Sequence, residues 1–413
     1  MRAVRTALEI VFWASVAAIA WTQIGYALLI AALARLLAPA PPASSASRER
    51  AHTLNRKAPL GVVMHDGGEM VEGEPTLPSV SLIVAAHDER RVIAAKVANA
   101  LALDYPRELL QVIVACDGCT DATPERAREA GADLVLELPR GGKIAAQDAA
   151  VARARGEIVA FSDANALWES DALRELVGAF ADPRVGYTCG RVSFVHSVDG
   201  ARATNQEGVY WRYEMALREC ESRLCSITAG NGAIYATRRD SYIVVDPIMG
   251  HDLSFPFNMV KRGWRAVDVP GARATEKMVP SIEGEWRRKR RMMSHTWPIV
   301  LRGGMLSPRG YPPGYALMLL SHRLLRYLTP FLHALALAAN IALVAGGAGA
   351  LYAATLALQL ALLAAAALAG AVPARALLIA RYYVLTVASP AAGLWDWLRH
   401  GTPAVWEAAE GTR

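Results

Sequence analysis

The chain has 413 residues, 53% of them hydrophobic and 20% charged, with a formal net charge of +6. The apolar residues come in long uncharged runs, which excludes an intrinsically disordered chain and a wholly water-soluble one. The mild basicity suits an anionic membrane surface or a phosphate-bearing ligand and is too weak to indicate nucleic acid, and five cysteines offer no disulfide framework.

The first predicted element is Ile10 to Ala34, 25 residues without a charged side chain. About 20 apolar residues span a bilayer, and a signal peptide would carry an apolar region of only about 7–15. Residues 1–40 therefore read as an uncleaved transmembrane anchor. Arg2 and Arg5 precede it, whereas Arg35, Arg48, Arg50, Arg56 and Lys57 follow it. The positive-inside rule then places the following region in the cytoplasm. Residues 41–78, rich in Pro, Ala, Ser and Gly, read as a linker.

Residues 79–285 have a different character, with short apolar runs alternating with amphipathic stretches. Val80–Ala86, Leu110–Ala115, Leu134–Leu138 and Ile158–Phe161 read as strands; Arg91–Leu103, Pro124–Ala130 and Gly142–Arg155 read as helices. This alternation predicts an α/β domain with a mainly parallel, Rossmann-like sheet. Ligands on such sheets bind beyond the carboxyl ends of the strands. Three of those ends carry acids: His87-Asp88-Glu89, Asp117-Gly118-Cys119-Thr120-Asp121, and Asp163-Ala164-Asn165. Clustered carboxylates repel one another unless a cation or donor groups satisfy them. Helix capping by Asp121 or Asp163 would explain one such cluster better than three in succession. Gly141-Gly142-Lys143 opens a helix and offers N–H groups and an ammonium to a phosphate, without the spacing of a Walker loop. Cys116 and Cys119 have the spacing of a metal or redox pair but lack two further ligands at suitable spacing.

Beyond the domain, residues 286–326 open on Arg287 to Arg291, five basic residues in a row, and read as a basic interfacial segment. Tyr327 to Ala374 contains no Asp, Glu, Lys or Arg in 48 residues. It reads as two spans joined by a turn at Gly346, Gly347 and Gly349. Ala376 to Trp395, interrupted by Arg381, is a third span or an interfacial segment, so residues 327–395 hold two or three helices and 396–413 form a tail.

The strand-end motifs, in this order and with Gly142-Lys143 between them, resemble the family 2 glycosyltransferases, over about Val80 to Met293. The resemblance implies a GT-A fold. The membrane flanks are similar to those of exopolysaccharide members such as the poly-N-acetylglucosamine and hyaluronan synthase group. It further implies nucleotide-sugar binding by Asp88, Glu89, Asp117, Lys143 and Asp163. Asp163 and Asn165 stand at the Asp-x-Asp positions and would hold Mg²⁺ or Mn²⁺, with Asn165 a weaker ligand than a carboxylate. Gly230, Asn231 and Gly232 resemble the segment facing the acceptor. His251-Asp252 stands at the family's Glu-Asp position, which makes Asp252 the expected general base and His251 an acceptor contact. In the processive members a Gln-x-x-Arg-Trp motif follows; here Arg288-x-x-Arg291-Met292 has its spacing and keeps only the arginine, Arg291, which would steady the leaving group.

The implied function is an inverting, metal-dependent glycosyltransferase at the cytoplasmic face of the cell membrane. Its donor would be a nucleotide sugar, UDP-linked, and its acceptor lipid-linked or a polysaccharide. A membrane scaffold with a degenerate transferase domain is the alternative, motivated by His251, Asn165 and the altered arginine motif. A transporter would need more spans, with polar residues inside them. A nucleic-acid partner would need the basic run on the soluble domain.

Overall fold

The computed structural model describes residues 2–37, 77–195, 205–277, 282–372 and 374–405. Nearly all of the expected linker at 41–78 and the last part of the expected tail lie outside them. In chain order the elements are α1 (Arg2–Leu37), β1 (Val80–Ala86), α2 (Ile93–Leu101), β2 (Leu110–Asp117), α3 (Thr123–Glu129), β3 (Leu134–Leu138), α4 (Lys143–Val151), β4 (Ile158–Asp163) and β5 (Leu167–Trp168). Then follow α5 (Ala172–Gly178), β6 (Val185–Val195), α6 (Asn205–Leu224), β7 (Ile234–Arg238), α7 (His251–Lys261), β8 (Arg265–Lys277) and α8 (Ile282–Leu301). Three long helices close the chain: α9 (Pro313–Ala345), α10 (Ala350–Leu368) and α11 (Arg375–His400).

The strands form one sheet in the order β3-β2-β1-β4-β7-β6-β8-β5. The first four pair in parallel. Next, β7 runs antiparallel to both β4 and β6, β6 pairs in parallel with β8, and β5 closes the edge antiparallel to β8. The parallel half explains the continuous apolar runs, because a strand covered on both faces has no solvent side to alternate with. Leu82, Val84, Val112 and Val114 face α2, α3 and α5, while Ile83, Ile113, Val159 and Phe161 face α4 and α7. Helix α2 buries Ile93, Val97 and Ala100, one stripe of its surface. Packing on both faces brings the carboxyl ends of β2, β1 and β4 together at one rim, in the register Ala86 opposite Cys116 and Ala85 opposite Asp163.

Among the described residues, four helices, α1, α9, α10 and α11, are long and apolar enough to cross a membrane. Phe12 of α1 packs against Ala336, Ala339 and Leu343 of α9. The boundaries expected at 285 and 326 fall inside continuous helices, α8 and α9. The third C-terminal stretch, α11, lies along the basic helix α8: Arg290 pairs with Asp396 at 2.6 Å, Lys289 donates to the Tyr382 hydroxyl at 2.9 Å, and the Trp297 indole donates to the Pro390 carbonyl at 2.8 Å.

The membrane helices reach the soluble domain through Glu221 of α6, which is fully buried. Its Oε1 accepts from the Tyr26 hydroxyl of α1 at 2.7 Å and lies 2.6 Å from His322 Nδ1 of α9. Its Oε2 accepts the backbone N–H and hydroxyl of Thr228 at 3.1 and 3.0 Å. One carboxylate thus ties two apolar helices to the loop that runs into Gly230.

Candidate active site

At the end of β2, Asp117 is buried and its carboxylate accepts the N–H of Gly141 at 2.6 Å and that of Gly142 at 3.0 Å. Arg140 Nη1 lies 3.3 Å from the same carboxylate. Gly142 has φ +94°, a conformation that disfavours a side chain, and a Cβ there would meet the Ala404 carbonyl at 2.2 Å. The segment after α11 therefore lies against the Gly141-Gly142 loop, fastened by the Thr402 hydroxyl to the Ser294 carbonyl at 2.9 Å.

Asp88 closes the β1 turn with φ +53°. Burial would raise its carboxyl, but hydrogen bonds from the Thr120 N–H (2.7 Å) and hydroxyl prevail and hold it below the usual range. Glu89 is buried at the start of α2, where its carbonyl accepts from Val92 and Ile93. His87, Asp88 and Cys119 bring ligand atoms within 4.8 Å of one another. Each already has a protein partner: His87 Nδ1 lies 2.8 Å from the Asp117 carbonyl, and the Cys119 thiol donates to the Ala86 carbonyl at 3.5 Å. Cys116 is buried and free.

Lys143, the first residue of α4, pairs with Asp163 at the end of β4 and donates to the Gly232 carbonyl at 3.2 Å. Asp163 therefore stands beside a cation from α4 and the glycine segment before β7. Asn165 sits half-buried in the turn after β4 and is not among the residues lining the cavity described below. Two residues that sequence reasoning did not place in the site lie close by. Lys96 of α2 is fully buried, 5.1 Å above the Trp168 ring, with no hydrogen-bond partner for its Nζ among the described residues. Burial pushes its ammonium down to about 7 while the charges of Asp163 and Glu276 oppose the shift. Glu276 of β8 lines the cavity, and its Oε1 is buried without a partner among the described residues. Burial and then the Asp163 charge raise its carboxyl.

The other side of the site is built from Gly230, Asn231, Gly232 and the start of α7. Gly230 donates to the Asp252 carbonyl at 2.6 Å, and a Cβ there would meet the Tyr187 hydroxyl at 2.1 Å. The Asn231 side chain is engaged inside the protein, donating to the Gly190 carbonyl at 2.7 Å and accepting from Ile234 at 3.0 Å, so it shapes the turn. His251 is likewise buried, stacked on Phe255 at 3.9 Å with Nδ1 2.8 Å from the Tyr235 hydroxyl. Burial holds it well below the usual imidazole range, and the Lys143 charge acts in the same direction. A neutral His251 in place of an acid leaves Asp252 as the carboxylate at the start of α7 that lines the cavity.

These groups open on one cavity of about 1660 Å³. Lys143, Asp163 and Glu276 line one part, Gly230, Asn231, Gly232, His251 and Asp252 another. Arg326 and Tyr327 of α9 and Leu378, Ile379, Tyr382 and Val387 of α11 carry it to the apolar helices. From the basic run it takes Arg288 and Lys289; Arg291 is not among its lining residues. Arg288 pairs with Glu285 at 2.7 Å. Asp88, Glu89 and Asp117 lie at the neighbouring strand ends, outside the lining.

The family described as "Glycosyltransferase like family 2" matches residues 78–294, a little over half of the chain. A β-monoglucosyldiacylglycerol synthase of Nostoc sp. is 37% identical over 122 residues, 28% of this chain and 26% of its own length. An N-acetylglucosaminyltransferase of Rhizobium sp. is 26% identical over 239 residues, 54% of this chain and 53% of its own length. The chain thus spans only a quarter to a half of these curated relatives. Among solved structures, a mannosyltransferase from Pyrobaculum calidifontis, in complex with GDP-Man and Mn²⁺, superposes with a TM-score of 0.60 at 24% identity, covering 96% of this chain and 98% of that one. That likeness extends the shared fold over the apolar helices as well as the sheet.

Proposed function

The chain belongs to the glycosyltransferase like family 2, and on that premise we propose that it moves a sugar, with inversion, from a nucleotide donor, UDP-linked, to a lipid-linked or polysaccharide acceptor at the cytoplasmic membrane face. The observation that carries this reading is the continuity of the cavity, from Lys143 and Asp163, past Asp252, to the side chains of α9 and α11. A donor held at one end and an acceptor arriving along the apolar helices would meet at Asp252.

In this reading the nucleotide lies along the rim of Asp88, Glu89 and Asp117, with the diphosphate toward Lys143. Asp252 takes the proton of the acceptor hydroxyl as that oxygen attacks the anomeric carbon from the face opposite the leaving group. The bond from the anomeric carbon to the diphosphate oxygen breaks, and the nucleoside diphosphate departs with the electron pair. Lys143 and Arg288 stand where they can steady the negative charge that develops. Asp163 and Asn165 offer oxygen ligands that would hold Mg²⁺ or Mn²⁺, and a buried carboxylate oxygen without a partner among the described residues, on Glu276 at the same cavity, fits a cation there. A bound divalent cation would supply further neutralisation of the leaving diphosphate. His251, buried and neutral, supports the wall behind Asp252 without titrating against it.

Three helices, α1, α9 and the returning α10, cross the bilayer in this reading, with the soluble domain in the cytoplasm. The pairs that tie α11 to the basic helix α8 support a place for both at the headgroup level, where arginines and lysines meet anionic lipid.

Purified membranes carrying the protein, offered a panel of nucleotide sugars with Mn²⁺ or with EDTA, test the proposal. Release of nucleoside diphosphate from one donor, dependent on the cation, is expected. No cation-dependent release from any donor favours the scaffold alternative.

A further inference from the structure

We propose that Glu276 is part of the cation site, supplying from β8 the second carboxylate that the turn after Asp163 lacks; this rests on the reading of the cavity as a nucleotide-sugar site. Within Asp163-Ala164-Asn165 only the first position is an acid, and only Asp163 lines the cavity. One carboxylate is a sparse set for a divalent ion, which prefers several oxygen ligands.

The fold brings a second acid to the same place. Strand β5 begins four residues after Asp163 and pairs with the end of β8, Leu167 opposite Thr275. Glu276 is the next residue, opposite Phe194 of β6. The short β5–β8 ladder therefore ties the segment carrying Asp163 to the segment carrying Glu276. Both side chains line the cavity, with Lys143 between the glycine segment and Asp163.

A purely structural role for Glu276 leaves one fact unexplained. Its Oε1 is buried and accepts no hydrogen bond among the described residues. An unsatisfied buried acceptor costs about 1–3 kcal/mol, and such an atom at a site wall points to a ligand that satisfies it. The nearby cations have other duties: Arg288 pairs with Glu285, Lys143 pairs with Asp163, and Lys96 packs over Trp168. A divalent cation, which binds several carboxylate oxygens at once, would satisfy this oxygen together with Asp163.

The experiment is a Mn²⁺ titration of the full chain in detergent, with UDP present, following free Mn²⁺ by electron paramagnetic resonance. Glu276→Gln keeps the shape and removes the charge. It is expected to weaken Mn²⁺ binding at least about tenfold, the loss that even an outer partner of a metal ligand causes, and to match the direction of Asp163→Asn. Glu276→Asp, read in the same titration, carries the test if the glutamine variant does not fold; it is expected to bind more weakly than the parent. Undiminished Mn²⁺ affinity in the folded variant overturns the assignment of Glu276 while Asp163→Asn still weakens binding. Absence of Mn²⁺ binding by the parent chain with every nucleotide tried overturns the metal-dependent reading itself.

Discussion

Asp117 accepts the backbone N–H of Gly142 with both carboxylate oxygens, each at 3.0 Å. The acid at the end of β2 thereby positions the loop that carries Lys143 toward Asp163. Asp117→Asn leaves one oxygen and turns an amide N–H toward a donor. Losing a charged acceptor costs about 1.5–3 kcal/mol per hydrogen bond. Donor affinity, measured by calorimetry, is expected to fall about 10- to 100-fold on that scale. Unchanged affinity would contradict a donor site built on this loop.

The basic run separates two arginines. Arg288 lines the cavity and Arg291 does not. Arg288→Ala is expected to lower donor turnover about tenfold or more, the scale of one charged contact in the transition state. Arg291→Ala is expected to change it less. Steady-state rates in membranes compare the two, and the reverse ranking would restore the role that the family resemblance implies for Arg291.

Gly230 is held against Tyr187, whose buried hydroxyl has no hydrogen-bond partner among the described residues. Gly230→Ala places a methyl 2.1 Å from that oxygen, so the loop must shift. Transfer is expected to fall while donor binding persists. Adding Tyr187→Phe removes the obstructing oxygen and is expected to recover part of the rate; no recovery would show that the glycine matters for another reason.

Glu221 joins Tyr26, His322 and Thr228 at the base of the membrane helices. Breaking a buried, paired carboxylate costs about 3–5 kcal/mol. Glu221→Gln is therefore expected to lower the thermal midpoint in detergent and to expose the α1–α6 junction to protease. A midpoint equal to that of the parent would show that apolar packing alone holds the junction.

The parallel half of the sheet was legible because β1, β2 and β4 are covered on both faces and so read as unbroken apolar runs. Their acidic ends followed from the same reading. The antiparallel half was not legible, since its pairings join segments far apart in the chain. Glu276 lies one residue before the end of β8, and only the register of Leu167 opposite Thr275 brings it toward Asp163. Lys96 reads as a charged residue on an amphipathic helix; that it is fully buried over Trp168 depends on tertiary packing. Asn231 and His251 illustrate the converse. Their motifs mark the acceptor side, yet their side chains are bonded to Gly190 and Tyr235. Spacing alone does not tell a side chain that faces a ligand from one that props up the wall behind it.

The central claim is that Asp252 joins the donor and acceptor ends of one cavity. The direct measurement is Asp252→Asn with saturating donor and Mn²⁺, following donor binding by calorimetry and sugar transfer in the same preparation. Transfer abolished with donor binding intact is the predicted result; transfer at the parent rate, or loss of donor binding with turnover retained at saturation, would contradict it.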